Sequence, residues 1–171
     1  KEVLKTMLQD LKGGLLTNIG VGQLAQYNSA DASLWFFWSL QEYVEVTKSP
    51  AETWKYFRNE INHILDKYKE GTLYNIHMKK NGLLYGGQEN VALTWMDAVV
   101  DGVPVTPRAG YTVELNALWY NAICFSLEMA KAADDKQFVE NWKLVPLSLK
   151  TAFKDMFWDE KKGYLADFCD D

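Results

Sequence analysis

Residues 113–132, VELNALWYNAICFSLEMAKA, decide the fold class. Apolar side chains lie almost all round this stretch (Leu115, Ala117, Leu118, Trp119, Ala122, Ile123, Phe125, Leu127 and Met129). A helix that is apolar on every face is surrounded by protein. A second stretch reads the same way. A helix is expected to start at Ser29–Asp31, where either residue can cap the exposed amides, and to run to about Thr47 through the cluster Leu34, Trp35, Phe36, Phe37 and Trp38.

Between these two lies a helix of another kind. Ser49-Pro50 starts it, with proline in the first turn. Trp54, Phe57, Ile61, Ile64, Leu65 and Tyr68 then form one stripe, while Lys55, Arg58, Asn59, Asn62 and Lys69 face water. Residues 136–157 carry a single stripe too (Phe138, Trp142, Leu149, Phe153, Met156), and Pro146 inside it implies a kink or a break into two helices. A four-helix bundle would make every helix amphipathic. Alternation of fully apolar and one-sided helices is what a toroid of inner and outer helices requires. The fold class expected is therefore all-α, with part of an α/α toroid.

The remaining segments are shorter. Residues 2–11 place Val3, Leu4, Met7, Leu8 and Leu11 on one stripe, ended by Gly13-Gly14. The two longest loops, 13–28 and 70–112, concentrate Gly, Asn, Asp and Trp. Gly86-Gly87 reads as a turn.

Composition narrows the function. The 171 residues are 48% hydrophobic and 24% charged, the balance of a folded protein with a core. A net charge of −5 argues against nucleic acid and against an anionic membrane surface as partners. Cys124 and Cys169 are too few for a disulfide framework, so a reducing, cytoplasmic setting is expected. Both ends read as cut, so a fragment of a larger protein is expected, with apolar flanks that self-associate. Aromatic residues make up 14%, including seven Trp; they fill a core or stack on sugar rings, and composition alone favours the core.

Several polar residues could carry chemistry. Asp97, in Leu93-Thr94-Trp95-Met96-Asp97, would be a general acid if its neighbours desolvate it, though a turn residue is the commoner reading of such a sequence. Asp31 is either a helix cap or a carboxylate that accepts sugar hydroxyls. Arg108 is either a hydroxyl-binding fork or a solvated loop residue. Glu114 and Asn116 open an otherwise apolar helix, so they cap it or face a polar cavity. His63 and His77 have no companions at metal-ligand spacing, and no phosphate loop, dinucleotide fingerprint or nucleophile elbow is present.

Taken together, Tyr27-Asn28-Ser29-Ala30-Asp31-Ala32-Ser33-Leu34-Trp35-Phe36, Leu93–Ala98, Pro104–Arg108 and Val113–Asn121 resemble the signature stretches of the amylo-α-1,6-glucosidase domain of glycogen debranching enzymes. Phe157-Trp158 with Gly163-Tyr164-Leu165 fits the segment that follows. The resemblance spans most of residues 14–168 in order. It implies an (α/α)6 toroid, of which this chain is a single piece from roughly the middle, and an inverting glycoside hydrolase without cofactor or metal. It implies Asp97 as general acid, and Asn28, Asp31, Trp35, Trp95, Arg108, Glu114, Asn116 and Trp119 as residues of the glucose pocket. The implied substrate is an α-glucan, glycogen or its limit dextrin. The family's catalytic base lies beyond residue 171, so this chain is expected to hydrolyse little by itself. Related toroidal glycosidases of glucoamylase or trehalase type, and a non-catalytic glucan-binding module, are the alternatives.

Overall fold

A computed structural model describes residues 1–170. Six α-helices carry the fold: α1 Glu2–Leu8, α2 Ala32–Thr47, α3 Pro50–Glu70, α4 Val113–Ala132, α5 Lys136–Trp142 and α6 Val145–Phe157. Eight two-residue strands pair into four antiparallel ribbons: β1 His77–Met78 with β2 Leu84–Tyr85, β3 Val99–Val100 with β4 Val103–Pro104, β5 Tyr111–Thr112 with β8 Phe168–Cys169, and β6 Trp158–Asp159 with β7 Tyr164–Leu165. The molecule is mostly helical, and its strands pin loops without forming a layer.

α4 is the hub. It packs against α2, α3, α5 and α6, as its apolar circumference demands. Glu114 in its first turn and Lys131 in its last complement the helix dipole. α3 follows its sequence closely. Pro50 opens it, and Gly71, at φ 125°, closes it where a side chain would be strained. All six stripe residues from Trp54 to Tyr68 are buried.

An aromatic chain joins three helices. Tyr68 stacks on Trp119 at 5.9 Å, Trp119 meets Trp142 edge-on at 5.9 Å, Trp142 stacks on Phe138 at 6.0 Å, and Phe138 meets Trp54 at 4.6 Å. A buried tryptophan removes about 150–250 Å² from water, worth roughly 4–6 kcal/mol as an upper bound. Trp54, Trp119 and Trp142 thus satisfy the core reading of the aromatic content, whereas Trp35, Trp38, Trp95 and Trp158 stay exposed.

Three expectations need correction. α2 is not enclosed: Trp35 and Trp38 are about half exposed and meet each other edge-on at 6.3 Å, while Leu34, Phe36, Phe37 and Leu40 face the core. An apolar sequence fixes what a helix can bury, and neighbours decide what it does bury. α1 stops at Leu8, and Val3 points to water. Of the kink or break expected at Pro146, the structure has the break, and the proline sits in the first turn of α6, where its missing N–H costs nothing. Gly86-Gly87 is more than a turn. Gly86 bridges Gly110 through both backbone bonds, at 3.0 and 2.8 Å. A side chain on Gly87, at φ 155°, would collide with the backbone of Ala109.

Candidate functional site

The segment entering α2 is tied on two sides. Ala30 donates its N–H to the Leu93 carbonyl at 2.8 Å, and its own carbonyl accepts the buried Tyr68 hydroxyl at 3.0 Å. Residues 28–31 are therefore fastened to α3 and to the loop that carries Asp97. Ser29 accepts the Ala32 N–H at 3.2 Å, so the serine performs the capping role left open between it and Asp31. Its hydroxyl donates to Asp31 Oδ1. The half-buried Asp31 carboxylate makes no capping bond of its own. Asn28 lies immediately before Ser29, its Oδ1 buried and without a hydrogen-bond partner among the described residues.

The Leu93–Asp97 stretch passes from core to solvent within a few residues. Leu93 and Thr94 are buried, Trp95 is 66% exposed and Asp97 is exposed. Asp97 lacks the apolar enclosure expected of a desolvated acid.

Arg108, 9% exposed, knots the loops together. Its Nη1 donates to Thr94 Oγ1 at 3.1 Å and to Glu114 Oε1 at 2.5 Å. Its Nη2 donates to Glu114 Oε2 at 2.8 Å, to Asp167 Oδ1 at 3.0 Å and to the Asp167 carbonyl at 3.2 Å. Burial works against the guanidinium charge, but the two carboxylates outweigh it and hold the group above its ordinary value. The seat for Arg108 comes from the Gly86–Gly110 bridge and from the close approach of Gly87 to Ala109. A hollow of about 370 Å³ beside it is lined by residues 88–91, 103–104 and 107–109; neither Asp97 nor Asp31 lines it.

Asn116 and Trp119, expected as pocket residues, lie in the interior of the chain. Both are fully buried. Asn116 clamps the Leu84 backbone, and Trp119 donates its indole N–H to the Gly82 carbonyl at 3.2 Å. Both therefore hold the β1–β2 hairpin against α4. Trp35 sits one turn into α2, its N–H bonded to the Asp31 carbonyl at 2.9 Å.

Hydrogen bonds thus link the segments holding Asn28, Asp31, Trp95, Asp97, Arg108 and Glu114. Thr94 and Asp167 are the connecting residues that sequence reasoning passed over. Thr94 lay inside the quoted motif; Asp167 had no local signal. Among the described residues no cluster of three or more His, Cys, Asp or Glu is arranged to hold a metal ion, and no helix is long and apolar enough to cross a membrane.

Comparison with known proteins agrees with the resemblance. A family model described as amylo-alpha-1,6-glucosidase matches residues 1–171. The glycogen debranching enzyme of Saccharomyces cerevisiae is 25% identical over 174 residues, covering 70% of this chain and 11% of that protein. The chain spans about 11% of the length of that relative.

Proposed function

This chain belongs to the amylo-alpha-1,6-glucosidase family, and from that premise we propose that it supplies the general acid and part of the glucose pocket of an enzyme that removes α-1,6-linked glucose stubs from glycogen or limit dextrin. The observation that carries the reading is the junction of four motif segments: Ala30 on Leu93, and Arg108 on both Thr94 and Glu114. Similarity to the yeast glycogen debranching enzyme supports a glycosidase over a binding protein. In the longer protein we place these helices within an α/α toroid.

In this mechanism Asp97, protonated, gives its proton to the glycosidic oxygen as that oxygen leaves C1. A second carboxylate, supplied from outside this chain, takes a proton from water attacking the opposite face, and the configuration inverts. Such a pair stands roughly 6.5–9.5 Å apart, leaving room for the water. Asp31 and Asn28 are suited to hold sugar hydroxyls, with Trp35 and Trp95 offering apolar faces. The bound sugar itself would cover the Asp97 carboxyl and supply the desolvation that the chain alone does not. Without its base the chain forfeits roughly 10²–10⁴-fold of rate, so by itself it is expected to release little glucose from limit dextrin.

A second reading, a non-catalytic glucan platform, is favoured by the exposure of Trp35, Trp38 and Trp95. Titration of the chain with an iminosugar glucose mimic and with linear glucans separates the two. A glucosidase pocket prefers the cationic mimic and loses that preference in Asp97→Asn. Tighter binding of longer glucans, indifferent to Asp97→Asn, would establish the platform instead.

A further inference from the structure

Arg108 has no terminal N–H left to offer a ligand. Its four terminal hydrogens point at Thr94, at both Glu114 oxygens and at Asp167. Its Nε–H is buried and has no partner among the described residues. A guanidinium so enclosed is poorly placed to recognise sugar hydroxyls.

We propose that Arg108 is a positioning residue: through Thr94 it fixes the Trp95–Asp97 turn against the first turn of α4, and so sets where the Asp97 carboxyl stands. The importance of Asp97 rests on the glucosidase reading; the tether itself does not. Backbone bonds anchor the stretch only at its ends, where Leu93 accepts from Ala30 at 2.8 Å and Ala98 accepts from Val105 at 2.9 Å. Between those ends, among the described residues, Thr94 Oγ1 is the point where a hydrogen bond from another segment holds the stretch.

The knot is directional. Glu114 receives both terminal nitrogens in the paired geometry that a planar guanidinium forms and an ammonium does not. That pairing sets the plane of the fork, and the second hydrogen on Nη1 is then aimed at Thr94. Asp167, 61% exposed, closes the outer side from the C-terminal ribbon. Its solvent-facing carboxylate contributes less than Glu114 does. The tether therefore depends on the threonine hydroxyl and on the planarity of the arginine, two features that substitution separates.

The test is backbone ¹⁵N relaxation on the whole chain without sugar. In the unaltered chain Trp95–Asp97 should show order parameters near those of α4, about 0.8. Thr94→Val, which keeps shape and removes the acceptor, should lower them below about 0.6 and leave α4 unchanged. Thr94→Ser should restore them. Arg108→Lys should behave like Thr94→Val, because it keeps charge and loses the fork. Unchanged order in both Thr94→Val and Arg108→Lys overturns the proposal, as does a threonine effect that serine fails to rescue. Because no sugar is present, failure here is distinct from failure of the glucosidase reading, which the mimic titration decides.

Discussion

The Asn116 side chain grips the backbone of Leu84 from both sides, accepting its N–H at 2.7 Å and donating to its carbonyl at 3.0 Å, with a further bond to the Thr112 carbonyl at 3.0 Å. A side-chain amide here completes the ladder of β2 and fastens the β1–β2 ribbon to α4. The resemblance named Asn116 as a sugar ligand, and its burial gives it this structural work.

Asn116→Ala should therefore cost about 3 kcal/mol, since it strands a buried donor and acceptor on Leu84. Urea unfolding measures it. Asn116→Asp keeps the acceptor and loses both donors, and should also destabilise. A variant as stable as the parent chain, with weakened sugar binding, would return Asn116 to the pocket.

Asp135 joins α5 to α3. One carboxylate oxygen accepts the Phe138 N–H at 3.1 Å as a helix cap, and the other accepts the Trp54 indole N–H at 3.1 Å. Asp135→Ala should cost about 2 kcal/mol. Asp135→Asn, retaining one acceptor, should lose roughly half of that. Urea midpoints of the two variants, compared at equal slope, give the answer.

Gly87 and Gly102 both hold positive φ, yet only Gly87 is crowded, facing Ala109; nothing lies near a side chain at Gly102. Gly87→Ala should destabilise by about 2–4 kcal/mol, combining backbone strain with the clash. Gly102→Ala should cost about 1 kcal/mol from strain alone. Because Gly87 seats Arg108, its variant should also loosen residues 95–97, whereas Gly102→Ala should leave the Thr94 tether intact.

Tyr68 is fully buried, and burial raises its pKa well above the ordinary tyrosine value. The folded chain therefore keeps a proton that the unfolded chain gives up above about pH 10. Where the unfolded state binds fewer protons, stability falls as pH rises. The contribution is present in full below pH 10 and declines above it. Tyr68→Phe should be less stable at pH 8, having lost the bond to the Ala30 carbonyl, but should show a shallower decline between pH 9 and 11. Parallel declines in the two proteins would assign the alkaline loss to other groups.

The helices were legible to different degrees, and α3 and α2 show why. The α3 stripe, Trp54 to Tyr68, could be read to the residue because one face of the helix is wet, and a wet face leaves a periodic trace. α2 has no such trace: its sequence is apolar all round, yet Trp35 and Trp38 reach solvent. The site divides similarly. Asp31, Arg108 and Glu114 could be named as candidates from short motifs, but the partner Asp167 lies 59 residues from Arg108 in a stretch without a pattern.

By itself, then, the sequence determined the long helices, an interruption at Pro146 and the family, since each is written in residues close together along the chain. Only the tertiary structure decided which polar groups face outward and which bind the chain to itself. Arg108 shows the reason: whether a guanidinium meets a ligand or a neighbouring loop depends on which distant carboxylates the fold brings within 3 Å, and local spacing carries no record of that.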